Sequence, residues 1–201
     1  MANIRSTSRL RVGAIAAFVV CSGVGTSVTH TMNAFAAKAT PTPVTRNASG
    51  DIPDTATYLR YRGKAYSIEY VEGWVQAHLT GDGVRMSDID SFERVTLAAR
   101  TSRPLATFVS GPGMAQTKRE YQGVVKVSAN PLKLPAGSAV LLVFKARSAP
   151  DPVTGKQVTL VVDRYYVPGR SRMAVITLAT PVGVDNVDAF RRIARSFTWS
   201  K

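Results

Sequence analysis

Ser138-Ala-Val-Leu-Leu-Val-Phe-Lys-Ala146 carries the clearest structural signal in the chain. The apolar run from Ala139 to Phe144 is too short for a helix and reads as a strand buried on both faces, so something must cover each side of its sheet. Downstream, Asp151-Pro-Val-Thr-Gly155 is a turn, and Gln157–Val167 returns as a long strand. Gly169-Arg-Ser171 turns again, and Met173–Thr180 makes a further strand. Connections this tight permit only an antiparallel meander, because parallel pairing needs a crossover.

Upstream of the run the same period of two recurs. Tyr66, Ile68 and Tyr70 alternate with Ala65, Ser67 and Glu69, then Glu72-Gly73 turns the chain ahead of Trp74. Val75–Thr80 and Val84–Ser87 can pair across Gly81-Asp82-Gly83, and Val95, Leu97 and Ala99 alternate again. A helical piece is expected between Pro104 and Tyr121. Gly111-Pro112-Gly113 should interrupt it, leaving one broken helix or a short helix and a loop. The chain closes with a helix, Asp185 serving as its N-cap. Val187, Phe190, Ile193, Ala194 and Phe197 form its inner face, and Arg191, Arg192 and Arg195 point outward. An antiparallel β-sheet flanked by helices places the chain in the α+β class.

Three segments carry a resemblance to the Mog/PsbP superfamily. Tyr66-Ser67-Ile68-Glu69-Tyr70-Val71-Glu72-Gly73-Trp74 is similar to that family's opening strand, which ends Tyr-Pro-x-Gly-Trp, with Val71 standing where Pro is usual. The strand series from Leu134 to Thr180 and the ending Ile193-Ala-Arg-Ser-Phe197 complete the likeness, which spans residues 58–199. It implies an α/β/α sandwich around an antiparallel sheet, and a protein that binds or organises partners rather than catalyses. The family includes an extrinsic lumenal subunit of photosystem II, a nuclear Ran-binding protein and mycobacterial lipoproteins. Partner identity varies completely across such a fold. Some of its photosystem members use His and acidic residues for metal, but no matching His stands here, so no metal site is carried over.

The N-terminus reads as an address. Arg5, Arg9 and Arg11 precede the apolar stretch Val12–Val28, and Ala34-Phe35-Ala36 offers a cleavage site. That stretch is short for a membrane span, which needs about 20 apolar residues. Residues 1–36 are therefore expected to be a signal peptide, or an N-terminal anchor if uncleaved. Cys21 follows Val20 and Phe18, which does not match a lipoprotein signal. Residues 37–57, rich in Ala, Thr, Pro and Ser, read as a flexible spacer, and residues 58–201 as a PsbP-like domain. Export would make the protein secreted or envelope-associated.

Charge and rare residues then limit the function. The chain has 26 Lys and Arg against 13 Asp and Glu. Loss of the three signal arginines would leave 23 against 13, or +10. Cys21 and His30 lie in or near the signal, leaving His78 as the mature domain's one histidine. That argues against a zinc site, a disulfide framework and a Ser-His-Asp or Cys-His centre. His78 stands alone in a strand and reads as a surface residue. Trp74 reads as core. Asp82, Asp88, Asp90 and Glu93 lack EF-hand spacing and read as a solvated loop. No Walker or nucleophile-elbow spacing occurs.

The cations fall in groups: Arg60, Arg62 and Lys64; Arg164, Arg170 and Arg172; Arg191, Arg192 and Arg195. The group Arg164, Arg170 and Arg172 is the candidate binding patch for an anionic partner. That partner would be an envelope protein, a lipid surface or a wall polymer, with nucleic acid not expected of an exported domain. The sequence thus points to a non-catalytic exported binding or assembly module without a cofactor. Electrostatic attachment to membrane or wall is the alternative. An enzyme using Glu69 or Glu72 is a further one, although no second acid–base group stands beside them in the sequence.

Overall fold

The computed structural model describes residues 49–200. The expected signal segment and most of the expected spacer lie outside them. Seven strands form the larger antiparallel sheet: β3 (Val75–Leu79), β4 (Gly83–Ser87), β5 (Phe92–Ala99), β6 (Gln122–Leu134), β7 (Gly137–Arg147), β8 (Thr159–Pro168) and β9 (Arg172–Pro181). Their order is β3-β4-β5-β9-β8-β7-β6. A second sheet joins β1 (Tyr58–Arg62), β2 (Tyr66–Val71) and β10 (Thr198–Trp199) in the order β1-β2-β10. The helices are α1 (Leu105–Phe108), α2 (Met114–Glu120) and α3 (Val187–Ser196).

Each face of the large sheet is covered by a different layer. On one face Leu105, Phe108, Val109 and Met114 pack on Val140, Leu142, Phe144 and Val162. On the other, Phe190, Ile193 and Ala194 of α3 join Tyr66, Ile68 and Tyr70 of β2 against Val84, Met86, Ile176 and Leu178. Full burial of side chains such as Leu142 and Phe144 stabilises by about 1.5–3 kcal/mol each. The architecture is α+β, as the periodicity implies.

The strand most enclosed on both faces is β9, not β7. It lies between β5 and β8, and Met173, Ala174, Ile176, Leu178 and Ala179 are all buried. In β7 the residues Val140, Leu142, Phe144 and Ala146 are buried on the helical side, while Leu141 and Val143 are only half-buried on the other.

Gly111-Pro112-Gly113 does not break the helix. α1 runs through a π-turn, Val109–Gly113, into α2, and Met114 N–H reaches back to Val109 O. Pro112 has no N–H to donate, and the wider turn carries the backbone past it. Gly113 sits where a Cβ would lie 3.2 Å from both Phe108 O and Tyr166 Oη. Glycine there lets the helix settle onto the sheet.

The closing helix differs in detail from expectation. Asn186, not Asp185, holds the N-cap position. Its side chain is spent elsewhere: it accepts from Ile52 N–H at 2.8 Å and donates to Gly50 O at 2.8 Å. Ile52 is buried, so the packed chain begins before Tyr58, inside the expected spacer. Val187 is 58% exposed and does not join the inner face, whereas Phe197, just past the helix end, is fully buried. Among the described residues no helix is long and apolar enough to cross a membrane.

Candidate functional site

The three arginines of the expected patch do not sit together. Arg164 is 1% exposed, on the sheet face beneath α2. It donates from Nη2 to Glu120 Oε2 at 2.7 Å, from Nη1 to Thr117 Oγ1 at 2.9 Å and from Nε to Thr177 Oγ1 at 3.3 Å. Arg94 donates to the same Glu120 oxygen at 2.7 Å. Burial tends to raise the Glu120 carboxyl, but the two guanidiniums outweigh it and hold the group below its ordinary value. Burial likewise opposes the charge on Arg164, and Glu120 with the two tyrosines Tyr166 and Tyr121 holds it on. This arginine anchors the helix to the sheet and is withdrawn from any surface patch.

Arg170 and Arg172 do remain exposed, on the β8–β9 turn. They gain a neighbour that sequence spacing hides. Arg100, just beyond β5, donates from Nη1 to Gly169 O at 3.0 Å and to Arg170 O at 3.2 Å. β5 and β9 pair Ala99 with Arg172, which brings the two segments to one end of the sheet. The turn is held from beneath by Trp199, against whose ring a Cβ on Gly169 would lie at 2.8 Å. Among the described residues none of Arg100, Arg170 and Arg172 has a carboxylate partner within 4.0 Å. The result is a braced, cationic end of the sheet.

A separate groove of about 290 Å³ opens between α3 and strands β6 to β8. Leu132, Leu134 and Leu141 give it an apolar wall, and Arg191 and Arg195 stand on its helical side. Asp163 lies in it, half-buried and without a bonded cation among the described residues. Desolvation raises its carboxyl above the usual range. Two further hollows, of about 250 and 200 Å³, lie beside Trp74 and beside Arg192. The groove is at the lower limit of the roughly 300–1,000 Å³ usual for small-molecule pockets, and the two hollows are below it.

The remaining singled-out residues take structural places. Trp74 is buried in the core. His78 is exposed on β3, its ring 6.3 Å from that of Tyr61. The four acids do not converge. Asp82 accepts from Lys64 and Ala65 N–H at 3.2 and 2.9 Å, Asp90 accepts from Ser49 Oγ, Asp88 is exposed, and Glu93 is buried. The expected solvated loop is therefore a loop only in part, since Glu93 faces the core from within β5. Glu69 is tied to Arg60 at 3.2 Å and Arg192 at 3.0 Å, and Glu72 is exposed at a turn. Among the described residues no three Asp, Glu, His or Cys side chains gather as a metal site would require.

No protein-family model matches the sequence, and no curated protein does. Solved structures do resemble it. The cyanobacterial PsbP, CyanoP, of Synechocystis sp. PCC 6803 aligns at 18% identity with a TM-score of 0.54, covering 79% of this chain and 100% of that one. LpqN of Mycobacterium tuberculosis, a protein involved in cell envelope biogenesis, aligns at 14% identity and TM-score 0.41 over 74% of this chain and 93% of its own. PA94 of Pseudomonas aeruginosa aligns at 15% and 0.43 over 69% and 94%. The last two likenesses are too weak to bear on the fold. The superposition on the whole of CyanoP, together with the opening strand, the meander and the closing helix, gives this chain the PsbP-like fold.

Proposed function

We propose that the protein is a non-catalytic, exported module that binds or assembles with a partner protein of the cell envelope. The groove between α3 and β6 to β8 carries this reading. Its apolar wall and flanking guanidiniums suit an extended segment of another chain, and its volume of about 290 Å³ is at the small end for a small-molecule pocket. The N-terminal segment Met1–Ala36 supports export. The engagement of Glu69 by two arginines supports a structural role for the carboxylate that an enzyme reading would use.

The test is site-specific photocrosslinking in intact cells. A crosslinker at Val187, on the rim of the groove, should give one discrete adduct in the envelope fraction. One at Val153, on the exposed β7–β8 loop, should not. Asp163→Lys, which puts a bulky cation in the groove, should abolish the Val187 adduct. Equal labelling from both positions would overturn the reading, and so would a protein that stays in the cytosolic fraction.

A second reading rests on the braced cationic end. Arg100, Arg170 and Arg172 would attach the domain to anionic lipid or wall polymer. Equal retention by neutral and anionic vesicles would exclude it.

A further inference from the structure

Two arginines face one another directly across the strand pair β4–β5. Arg85 is the register partner of Arg94. Arg94 is in turn the partner of Thr177, and Thr177 of Arg164. One row across four strands thus carries three guanidiniums, with Glu120 as the single carboxylate bonded within it among the described residues. Like charges directly opposite each other destabilise a sheet, and partly buried cations make the cost larger. Arg85 is half-buried and has no carboxylate within salt-bridge distance among the described residues. The Nε of Arg94 is buried without a hydrogen-bond partner among the described residues.

The surroundings hold these groups in place and leave both side chains partly exposed, with the Nε of Arg94 buried. The Arg85 guanidinium lies 4.1 Å over the Phe92 ring, a contact that fixes its plane. The helical layer packs on β7 to β9 and reaches β5 through Glu120 and Tyr121, while residues of β3 on this face are exposed. There Val75 is 71% exposed and Ala77, the register partner of Arg85, is exposed too. The Arg94 guanidinium stands 6.0 Å from the Tyr121 ring. Burial pulls the Arg85 guanidinium below its ordinary value, Tyr121 opposes this, and Arg94 pulls it further down.

We propose that Arg85 and Arg94 form a binding site for a phosphate group on the β4–β5 pair of the seven-stranded sheet. Three guanidiniums against one carboxylate leave an excess of two positive charges. A phosphate monoester carries about −1.5 to −2 at pH 7 and offers three acceptor oxygens. A single carboxylate ligand would neutralise only half of the excess. Arginine forks match phosphate geometry in a bidentate manner. The site is separate from the groove beneath α3, and its test does not depend on export.

The experiment titrates the purified protein with inorganic phosphate at constant ionic strength, chloride being the balancing ion. Binding is read by NMR shifts of the arginine Nε–H groups. In a parallel arm the protein is sedimented with vesicles bearing phosphatidic acid, a lipid phosphate monoester. A saturable shift of the Arg85 and Arg94 signals is expected, and Arg85→Gln should weaken it about tenfold or more. Arg85→Lys, which keeps the charge and loses the fork, should fall between. Lys156→Gln, on the exposed β7–β8 loop, should bind as the unaltered protein does. Binding confined to the vesicles, and lost in Arg85→Gln, would identify the phosphate as a lipid headgroup. The proposal is overturned if Arg85→Gln alters neither arm, or if acetate saturates the same signals at the same concentration as phosphate.

Discussion

Among the described residues neither carboxylate oxygen of Glu93 has a hydrogen-bond partner, and the side chain is fully buried. Desolvation raises its carboxyl well above the ordinary value. The folded protein therefore holds a proton that the unfolded chain gives up once pH exceeds the ordinary carboxylate value. Stability from this group is greatest below that value and declines as pH rises toward the folded one. Glu93→Gln should flatten that decline, and Glu93→Leu should stabilise the protein by about 1–3 kcal/mol at pH 7. Urea unfolding at pH 4 and pH 8 reads both, and an unchanged slope in Glu93→Gln would refute the assignment. Glu120 has the opposite sign. Its carboxyl is held down by Arg164 and Arg94, so its stabilising contribution is present above the ordinary carboxylate value and lost as pH falls through the folded one. Glu120→Gln leaves the Arg164 guanidinium buried without its counter-charge and should cost about 3 kcal/mol in the same unfolding assay. Replacing both residues, as Glu120→Leu with Arg164→Leu, should recover most of that loss, because well-packed apolar residues often substitute for a buried ion pair.

The helical stretch from Leu105 to Glu120 depends on its π-turn and on Gly113. A methyl group at this position would press on a backbone carbonyl and the Tyr166 hydroxyl, both at 3.2 Å, so Gly113→Ala should destabilise by about 1–3 kcal/mol. Tyr166 Oη, one of the two atoms in the way, is itself buried and without a hydrogen-bond partner among the described residues. Tyr166→Phe should therefore be tolerated alone and should relieve part of the Gly113→Ala cost in a thermal-melt comparison. Additive effects would refute the contact. Sequence periodicity foretold β7, β8 and β9 to within two residues, because their buried positions are mostly apolar. It missed β6 altogether. That strand has register shifts between Gln122 and Val125 and between Lys126 and Ser128, and each bulge breaks the alternation by one residue. Pro131 also speaks against a strand, but β6 is the edge of the sheet, where a missing N–H costs little. Arg164 shows the same limit at the site. Its partners Thr117 and Glu120 are 47 and 44 residues away in sequence, so only topology brings them together. One signal was available: Asp163-Arg164 interrupts the apolar run Leu160 to Val167, and a charge inside a buried strand must find a partner.

The excess of cations is distributed unevenly over the molecule. Arg164 is spent on Glu120, whose carboxylate Arg94 shares, and Arg60 and Arg192 are spent on Glu69. Total charge in the sequence therefore overstates what is left for a partner, while the end of the sheet formed by Arg100, Arg170 and Arg172 keeps its share. If that end meets an anionic bilayer, each arginine at the surface is worth about 1 kcal/mol. Arg170→Gln with Arg172→Gln should then weaken binding to anionic vesicles by about 2 kcal/mol, roughly 30-fold. Stability should be unchanged, since both side chains are exposed and the turn is braced by backbone contacts with Arg100 and by Trp199. Salt gives an independent check. Raising ionic strength from about 0.1 M to 1 M shortens the screening length from about 10 Å to 3 Å. The difference between the unaltered protein and the double variant should vanish at the higher salt. A difference that survives there would mean that the two arginines act through direct, desolvated contacts with a specific partner, which would favour a protein surface over a lipid one.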